Sequence, residues 1–328
     1  MTCVLVTGAT GLIGSNICKQ LIEQGDTVRA LVRDLGAAQG LADLGVTLVQ
    51  GDIADAESVL RAAEGAEAAI HSAAVLGGAT QDIDEHWRVN HGGAVNVFDA
   101  AVALGMRRVV ALNTTTFFDM EDSPLTENSP LHPNPPTDPY TVTKGAAYVE
   151  AKRRAAEGQD ICLAIPGGTY GPAPLAERAM AAPSFNERVV HAVTKAFTSY
   201  ISFPIPWAYS EDVARVAVRA LDRGVRGETY LAFGRPEDVS GIPEFCNTAL
   251  ELLGLPQRVE PLGAADVEDP EVAARFGPSL CELAHRRFPE PFFRYEHTVE
   301  RLGHQPVSLR DGLAATCDWL IEQGFMTV

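Results

Sequence analysis

The chain has 328 residues, 46% of them hydrophobic, and a formal net charge of −17 with a pI near 4.8. This length allows one large or two modest domains with an ample core, and the acidic balance argues against nucleic acid or an anionic membrane as partner. No apolar run reaches the roughly 20 residues that span a bilayer, and the first predicted strand starts at residue 3, which leaves no room for a leader. Six scattered cysteines show no C-x-x-C spacing, and no histidine pairing suggests a metal site. We therefore expect a soluble, cytoplasmic α/β protein without a metal.

The first predicted element is an apolar strand over residues 3–6, followed by the sequence T-G-A-T-G-L-I-G over residues 7–14. Glycines spaced G-x-x-G-x-x-G between a strand and a helix are typical of a dinucleotide-binding turn. The first glycine permits the tight turn, the second lets the backbone approach a pyrophosphate, and the third lets the helix pack closely. The residues expected to contact the cofactor here are Gly8, Thr10, Gly11, Leu12, Ile13 and Gly14.

Strand and helix patterns then alternate through the first half of the chain. Strands are predicted over 27–32, 46–52, 68–71, 108–113 and 161–165, and helices over 57–63, 87–104 and 139–157. This alternation predicts a doubly wound parallel sheet, a Rossmann-type α/β fold. From residue 166 Gly, Pro and aromatic residues become frequent, which indicates a smaller mixed lobe. We expect a dinucleotide-binding domain over 1–168, joined by 208–235, and a substrate lobe from 169–207 and 236–328.

The second decisive feature is Tyr140 with Lys144, four residues apart on a predicted helix and therefore on one face. A phenol with a pKa of about 10 is a poor acid–base group at neutral pH. A nearby ammonium favours the phenolate, so Tyr140 could exchange a proton with a carbonyl or hydroxyl group.

With the glycine turn, this pair resembles the extended branch of the short-chain dehydrogenase/reductase superfamily, in particular its dihydroflavonol-reductase-like members. Further similar segments are Asp52-Ile53, the H-S-A-A turn at 71–74, Val89-Asn90, the stretch 167–172 ending in Y-G-P, and 209–214. The resemblance implies that the cofactor is also contacted by Asp52, Ile53, Ala73, Lys144, Pro166 and Thr169. It implies too that two long helices, those of Asn90 and Tyr140, can form a homodimer.

The resemblance also implies the catalytic roles. Tyr140 would donate a proton to a carbonyl oxygen while hydride arrives from the nicotinamide, and Lys144 would hold the ribose hydroxyls and lower the pKa of the tyrosine. The third group is a hydroxyl at the end of the fifth strand, assigned to Thr114 with Thr115 as the alternative. Asn90 is expected to be structural support near the cofactor, with a proton-relay role as the alternative.

Cofactor choice depends on the end of the second strand, where Arg33 and Asp34 stand side by side. An acid there binds a ribose 2′-hydroxyl, whereas an arginine accommodates a 2′-phosphate. The segment 28–34 resembles that of the dihydroflavonol-reductase-like members, whose second arginine binds the phosphate. This resemblance implies that Arg33 binds the phosphate and that the cofactor is NADP(H), with NAD(H) as the alternative.

The substrate is expected to be a small hydrophobic or aromatic ketone, aldehyde or alcohol. Residues 199–207 carry no basic side chain where sugar-nucleotide members of the branch usually have an arginine. The predicted pocket residues are Leu76, Phe117, Phe118, Tyr170, Phe185 and Trp207. Two alternatives stay open, namely a nucleotide-sugar epimerase/dehydratase and a protein that senses NADP(H) without turnover.

Overall fold

The computed structural model describes residues 1–121 and 123–327. Its strands are β1 (Cys3–Thr7), β2 (Thr27–Val32), β3 (Thr47–Gln50), β4 (Ala68–His71), β5 (Arg108–Leu112), β6 (Ile161–Pro166), β7 (Gly168–Tyr170), β8 (Ser199–Ile201), β9 (Trp207–Tyr209), β10 (Thr229–Ala232) and β11 (Glu260–Leu262). Its helices are α1 (Leu12–Glu23), α2 (Gln39–Asp43), α3 (Ala56–Ala63), α4 (Ile83–His86), α5 (Gly93–Ala103), α6 (Pro139–Ala156), α7 (Ala176–Ala179), α8 (Phe185–Val193), α9 (Ser210–Arg223), α10 (Ile242–Leu252), α11 (Pro270–Phe276), α12 (Pro278–His285), α13 (Glu296–Leu302) and α14 (Leu309–Glu322).

Seven strands form one sheet in the order β3-β2-β1-β4-β5-β6-β10, and every pairing is parallel. The chain winds outward from β1 in one direction and from β4 in the other, so the order reverses between these two strands. The predicted doubly wound Rossmann-type sheet is thereby confirmed. In such sheets ligands bind outside the carboxyl ends of the strands at this reversal, which is where Thr7 and His71 lie side by side.

Both faces of the sheet are covered, as continuous apolar strands require. Helices α1 and α9 pack Ile17, Leu21 and Val213 against one face. Helices α3, α5 and α6 cover the other face, and Phe98 of α5 is among the largest fully buried side chains. Within the residues described, no helix is both long enough and apolar enough to cross a membrane.

The helix predicted over 87–104 is interrupted. Residues Trp87–Gly92 form a π-helical turn between α4 and α5. The wider turn admits Asn90, whose buried amide bonds to the backbone of Val75. A Cβ at Gly93 would lie 2.7 Å from Ile53, so glycine lets the helix continue against that side chain. Single π turns inside helices are frequent at functional sites.

The remaining elements form a smaller mixed lobe with its own core. Trp207 stacks on Phe245 with ring centroids 4.0 Å apart, and Tyr170 meets both rings edge-on. Leu313 and Leu320 of α14 complete this core. The division into a cofactor domain and a substrate lobe remains our prediction.

Candidate active site

The glycine turn between β1 and α1 has the geometry expected for a phosphate-binding turn. Gly8 has φ +70°, and a Cβ there would lie 2.6 Å from the backbone nitrogen of Ala73. A Cβ at Gly14 would lie 2.1 Å from the carbonyl oxygen of Gly8, so the third glycine lets α1 pack directly on the turn.

Gly11 differs from both, since the nearest atom to a Cβ there would be 3.4 Å away. It begins α1 without any side-chain cap, and the first turn of α1 carries no acidic residue. The free N–H groups at this end, next to Leu12 and Ile13, and the dipole of α1 favour an anion. The open space at Gly11 and the uncapped helix end fit the pyrophosphate of a dinucleotide.

At the end of β2, Arg33 and Asp34 are engaged differently. The Asp34 carboxylate accepts the backbone N–H groups of Gly36 (2.8 Å) and Ala37 (3.2 Å), so one of its oxygens is occupied by the local turn. The Arg33 side chain is exposed, and its backbone carbonyl accepts the amide of Gln50.

Asp52 and Ile53 follow β3 at the same edge of the sheet. Asp52 accepts the N–H of Ala54 and forms an ion pair with Arg88 at 3.4 Å. Burial of Asp52 acts to raise its pKa, but that hydrogen bond and the charges of Arg88 and Arg33 together lower it. Arg88 was not found by sequence reasoning, because nothing in its local pattern points to Asp52.

Tyr140 and Lys144 lie in the first turns of α6, which begins with a side-chain cap from Asp138 and a proline in its first turn. Lys144 is 5% exposed, and its Nζ donates to the carbonyl oxygen of Leu112 at 2.9 Å. Asn113 donates to the carbonyl oxygen of Lys144 and accepts the N–H of Thr114. The end of β5 is therefore fixed against the helix face that carries both residues.

The side chain of Thr114 acts on the phenol of Tyr140 to lower its pKa, and Thr114 is 8% exposed. The hydroxyl of Thr116 accepts a hydrogen bond from Thr141 at 2.9 Å. The choice of Thr114 over Thr115 as the catalytic hydroxyl stays a prediction.

Burial dominates the acid–base character of the pair. It raises the pKa of Tyr140, with a further increase from the charge of Asp138, against the smaller effect of Thr114. Burial also lowers the pKa of Lys144 to about 8. That Lys144 lowers the pKa of Tyr140 stays a prediction, since burial is the largest influence on both groups here.

His71 lies at the end of β4, next to the glycine turn. Its Nδ1 pairs with the Thr7 hydroxyl at 2.8 Å, and its buried Nε2 has no hydrogen-bond partner among the residues that the structure describes. Burial, helped by the charge of Lys144, lowers its pKa to about 3, so the ring is neutral at physiological pH. It supports the turn as an uncharged side chain.

The remaining predicted cofactor contacts lie at the same strand ends. The backbone of Ala73 lies next to Gly8, and Ile53 is buried next to Gly93. Strand β6 ends at Pro166, and just after it the hydroxyl of Thr169 donates to the carbonyl oxygen of Gly167. Thr10 lies in the glycine turn itself.

The predicted pocket residues divide into two groups. Leu76 is 45% exposed and Phe185 is half-buried. The other four side chains are 3% exposed or less: Phe117, Phe118, Tyr170 and Trp207. Phe117 and Phe118 pack on Tyr148, and Tyr170 and Trp207 pack on Phe245. As the structure stands, these four stabilise the core and offer a ligand almost no surface.

Comparison with known proteins agrees with this geometry. The family model described as "NAD dependent epimerase/dehydratase family" matches residues 4–232. The chain belongs to this family. Its membership confirms the predicted extended short-chain dehydrogenase/reductase character, and the chain is an NAD(P)-dependent enzyme.

Two relatives match over almost their whole length. Sterol demethylase protein B of Methylococcus capsulatus is 29% identical over 98% of this chain and 99% of the relative. A Synechocystis protein, provisionally named a dihydroflavonol 4-reductase, is 26% identical over 99% of this chain and 96% of the relative. The crystal structure of a nucleoside-diphosphate-sugar epimerase from Pseudomonas aeruginosa is 21% identical, covers 99% of each chain and has a TM-score of 0.80. That last similarity shows the shared fold alone.

Proposed function

We propose that this family member is an NADP(H)-dependent reductase or dehydrogenase that interconverts a hydrophobic or aromatic ketone or aldehyde and its alcohol. The observation that carries the proposal is the grouping of Thr114, Tyr140 and Lys144 beside the glycine turn, at the carboxyl ends of neighbouring strands. A dinucleotide turn alone would support binding, whereas this grouping supports proton transfer as well.

Each residue has a distinct role in the proposed reduction. When bound, the reduced nicotinamide supplies the hydride. Tyr140 donates its phenolic proton to the carbonyl oxygen, and its raised pKa keeps that proton in place at neutral pH. Thr114 donates a hydrogen bond to the same oxygen and stabilises the charge that develops there. Lys144 is fixed by the Leu112 carbonyl and would use its other N–H groups to hold the ribose hydroxyls.

The arrangement at the end of β2 supports NADP(H) over NAD(H). Asp34 accepts two backbone N–H groups, both on Oδ1, so the support for NADP(H) comes from Arg33 beside it. Arg33 is exposed, and a guanidinium is well suited to a phosphate. The prediction of a homodimer through α5 and α6 remains part of this proposal.

Two observations support a hydrophobic substrate. The relatives that match over the full length, and therefore over the smaller lobe, have names that refer to a sterol and to a dihydroflavonol. Residues 199–207 themselves carry no basic side chain. Of two arginines near them, Arg275 donates to the backbone of Ser199, and Arg188 lies over the ring of Tyr200.

The proposal is tested by following NADPH and NADH oxidation against hydrophobic ketones and aldehydes and, separately, by offering nucleotide sugars. We expect turnover with the carbonyl compounds and a higher kcat/KM with NADPH. Conversion of a nucleotide sugar without net cofactor oxidation would favour an epimerase or dehydratase. Tight NADPH binding without turnover on either panel would favour a sensor.

A further inference from the structure

A short loop over residues 75–82 lies against the ring of Tyr140. A Cβ at Gly77 would lie 3.4 Å from Cδ1 and 3.5 Å from Cγ of the ring, and 3.5 Å from Cβ of Tyr140, which is ordinary contact distance. Around it the chain makes a tight turn in which the N–H of Ala79 donates to the carbonyl oxygen of Leu76 at 3.1 Å. Gly78 supplies the positive φ, +83°, that this turn needs.

The start of the loop is fixed by Asn90. Its Oδ1 accepts the N–H of Val75 at 2.7 Å, and its Nδ2 donates to the carbonyl oxygen of Val75 at 3.1 Å. The same amide nitrogen lies 3.1 Å from the hydroxyl of Thr143, which is on α6 between Tyr140 and Lys144. Asn90 is fully buried, so these bonds are not shared with solvent.

The other end of the loop is fixed by His86, which is 1% exposed. Its Nδ1 lies 3.1 Å from the Nδ2 of Asn90, and its Nε2 lies 3.3 Å from the carbonyl oxygen of Thr80. An amide nitrogen can only donate and a carbonyl oxygen can only accept. Because the carbonyl oxygen of Thr80 only accepts, Nε2 of His86 is the donor of that contact.

We propose that His86 is a positioning residue, which together with Asn90 clasps the 75–82 loop at both ends and holds it on the face of Tyr140. The contacts run from the helix of Tyr140 through Thr143, Asn90 and His86 to Thr80. The loop therefore has a fixed place relative to the phenol that the proposed function uses. The expected change in KM rests on the proposed function. The fixed position of the loop rests on the hydrogen bonds alone.

The clasp has a consequence for substrate choice. Leu76 precedes Gly77 in this loop, and 45% of its surface is exposed. With the loop held in place, this apolar side chain is available to contact a bulky substituent of the ketone. Release of the loop should remove that contact and raise KM for a bulky ketone, while the glycine turn, which the loop does not hold, should bind the cofactor as before.

The test compares four variants by hydrogen exchange of the cofactor-free full chain and by steady-state kinetics. His86→Ala removes both contacts. His86→Gln retains an N–H donor near Thr80, whereas His86→Asn places its amide near Asn90 and cannot reach Thr80. His91→Ala is the matched control, because His91 lies further along the same helical segment and packs on Trp87.

We expect His86→Ala to speed exchange at Ala79 by about fivefold to tenfold, the effect of losing one neutral hydrogen bond. KM for a bulky ketone should rise by a similar factor while the Kd for NADPH is unchanged. His86→Gln should restore both readouts, His86→Asn should not, and His91→Ala should match the wild type.

Unchanged exchange in the loop of His86→Ala would overturn the proposal, as would unchanged KM and kcat or an equal effect of His91→Ala. If His86→Ala does not fold, the comparison of His86→Gln with His86→Asn decides in its place. If the wild type reduces no carbonyl compound, the proposed function fails, and the exchange measurement still decides whether the clasp holds the loop.

Discussion

Alanine at Gly11 and at Gly14 should produce opposite defects, although the two glycines belong to one turn. A Cβ at Gly14 would lie 2.1 Å from the carbonyl oxygen of Gly8. Ordinary contact begins near 3.4 Å, so α1 and the turn must separate by about 1 Å. Overpacking of this kind costs about 1–3 kcal/mol. At roughly 2–4 °C per kcal/mol, the Tm of Gly14→Ala should fall by several degrees even without cofactor.

Gly11→Ala has no such clash. Its backbone, φ −78° and ψ 171°, suits any residue, and the nearest atom to the new Cβ would be 3.4 Å away. Loss of glycine at the helix start should cost less than about 1 kcal/mol. The methyl group would instead occupy the space through which the backbone approaches the pyrophosphate, so NADPH should bind at least about tenfold more weakly.

Thermal unfolding without cofactor and fluorescence titration with NADPH separate the two effects. The reasoning is refuted if Gly14→Ala has the Tm of the wild type, or if Gly11→Ala binds NADPH as tightly as the wild type does.

Three further predictions follow from burial and charge. Burial lowers the pKa of Lys144 from 10.5 to about 8, so the unfolded chain binds more protons between these values. The unfolding free energy of the wild type relative to Lys144→Met should therefore rise between pH 8 and 10.5, by at most about 3 kcal/mol; a constant difference would contradict the burial. Arg33→Ala should weaken NADPH binding by about 10- to 100-fold and leave NADH binding nearly unchanged, and equal losses would show that Arg33 does not contact the phosphate. Trp207→Ala should lower the unfolding free energy by about 3–5 kcal/mol in a denaturant titration, because Trp207 is 2% exposed and stacked on Phe245. A variant with the stability of the wild type and a raised KM would show instead that Trp207 lines the substrate pocket.

The features that could be predicted from the sequence are those with a local physical signature. Alternating apolar runs predicted the parallel sheet. The glycine spacing predicted the turn, because close backbone contacts leave no room for a Cβ at Gly8 and Gly14. The pair Tyr140 and Lys144 could be placed on one face from helical geometry alone. The strand predicted over 46–52 is shorter, Thr47–Gln50, and pairs with β2 over those four residues.

The features that could not be predicted depend on contacts between distant segments. The segment Trp87–Gly92 has the apolar period of an ordinary helix, so its sequence does not reveal the π-helical turn or the bond of Asn90 to Val75. The pairing of Arg88 with Asp52 spans 36 residues, and the clasp of His86 on Thr80 needs the loop to fold back. An aromatic residue such as Phe118 suits a core as well as a pocket, so its sequence context does not show that it is buried.

The central claim is that Tyr140 supplies the proton for reduction of a carbonyl group. Its most direct test is the single-turnover rate of NADPH oxidation with a hydrophobic ketone in the wild type and in Tyr140→Phe. We predict that the variant binds NADPH with the wild-type Kd and loses about 10²- to 10⁴-fold in rate. A rate close to that of the wild type would contradict the account.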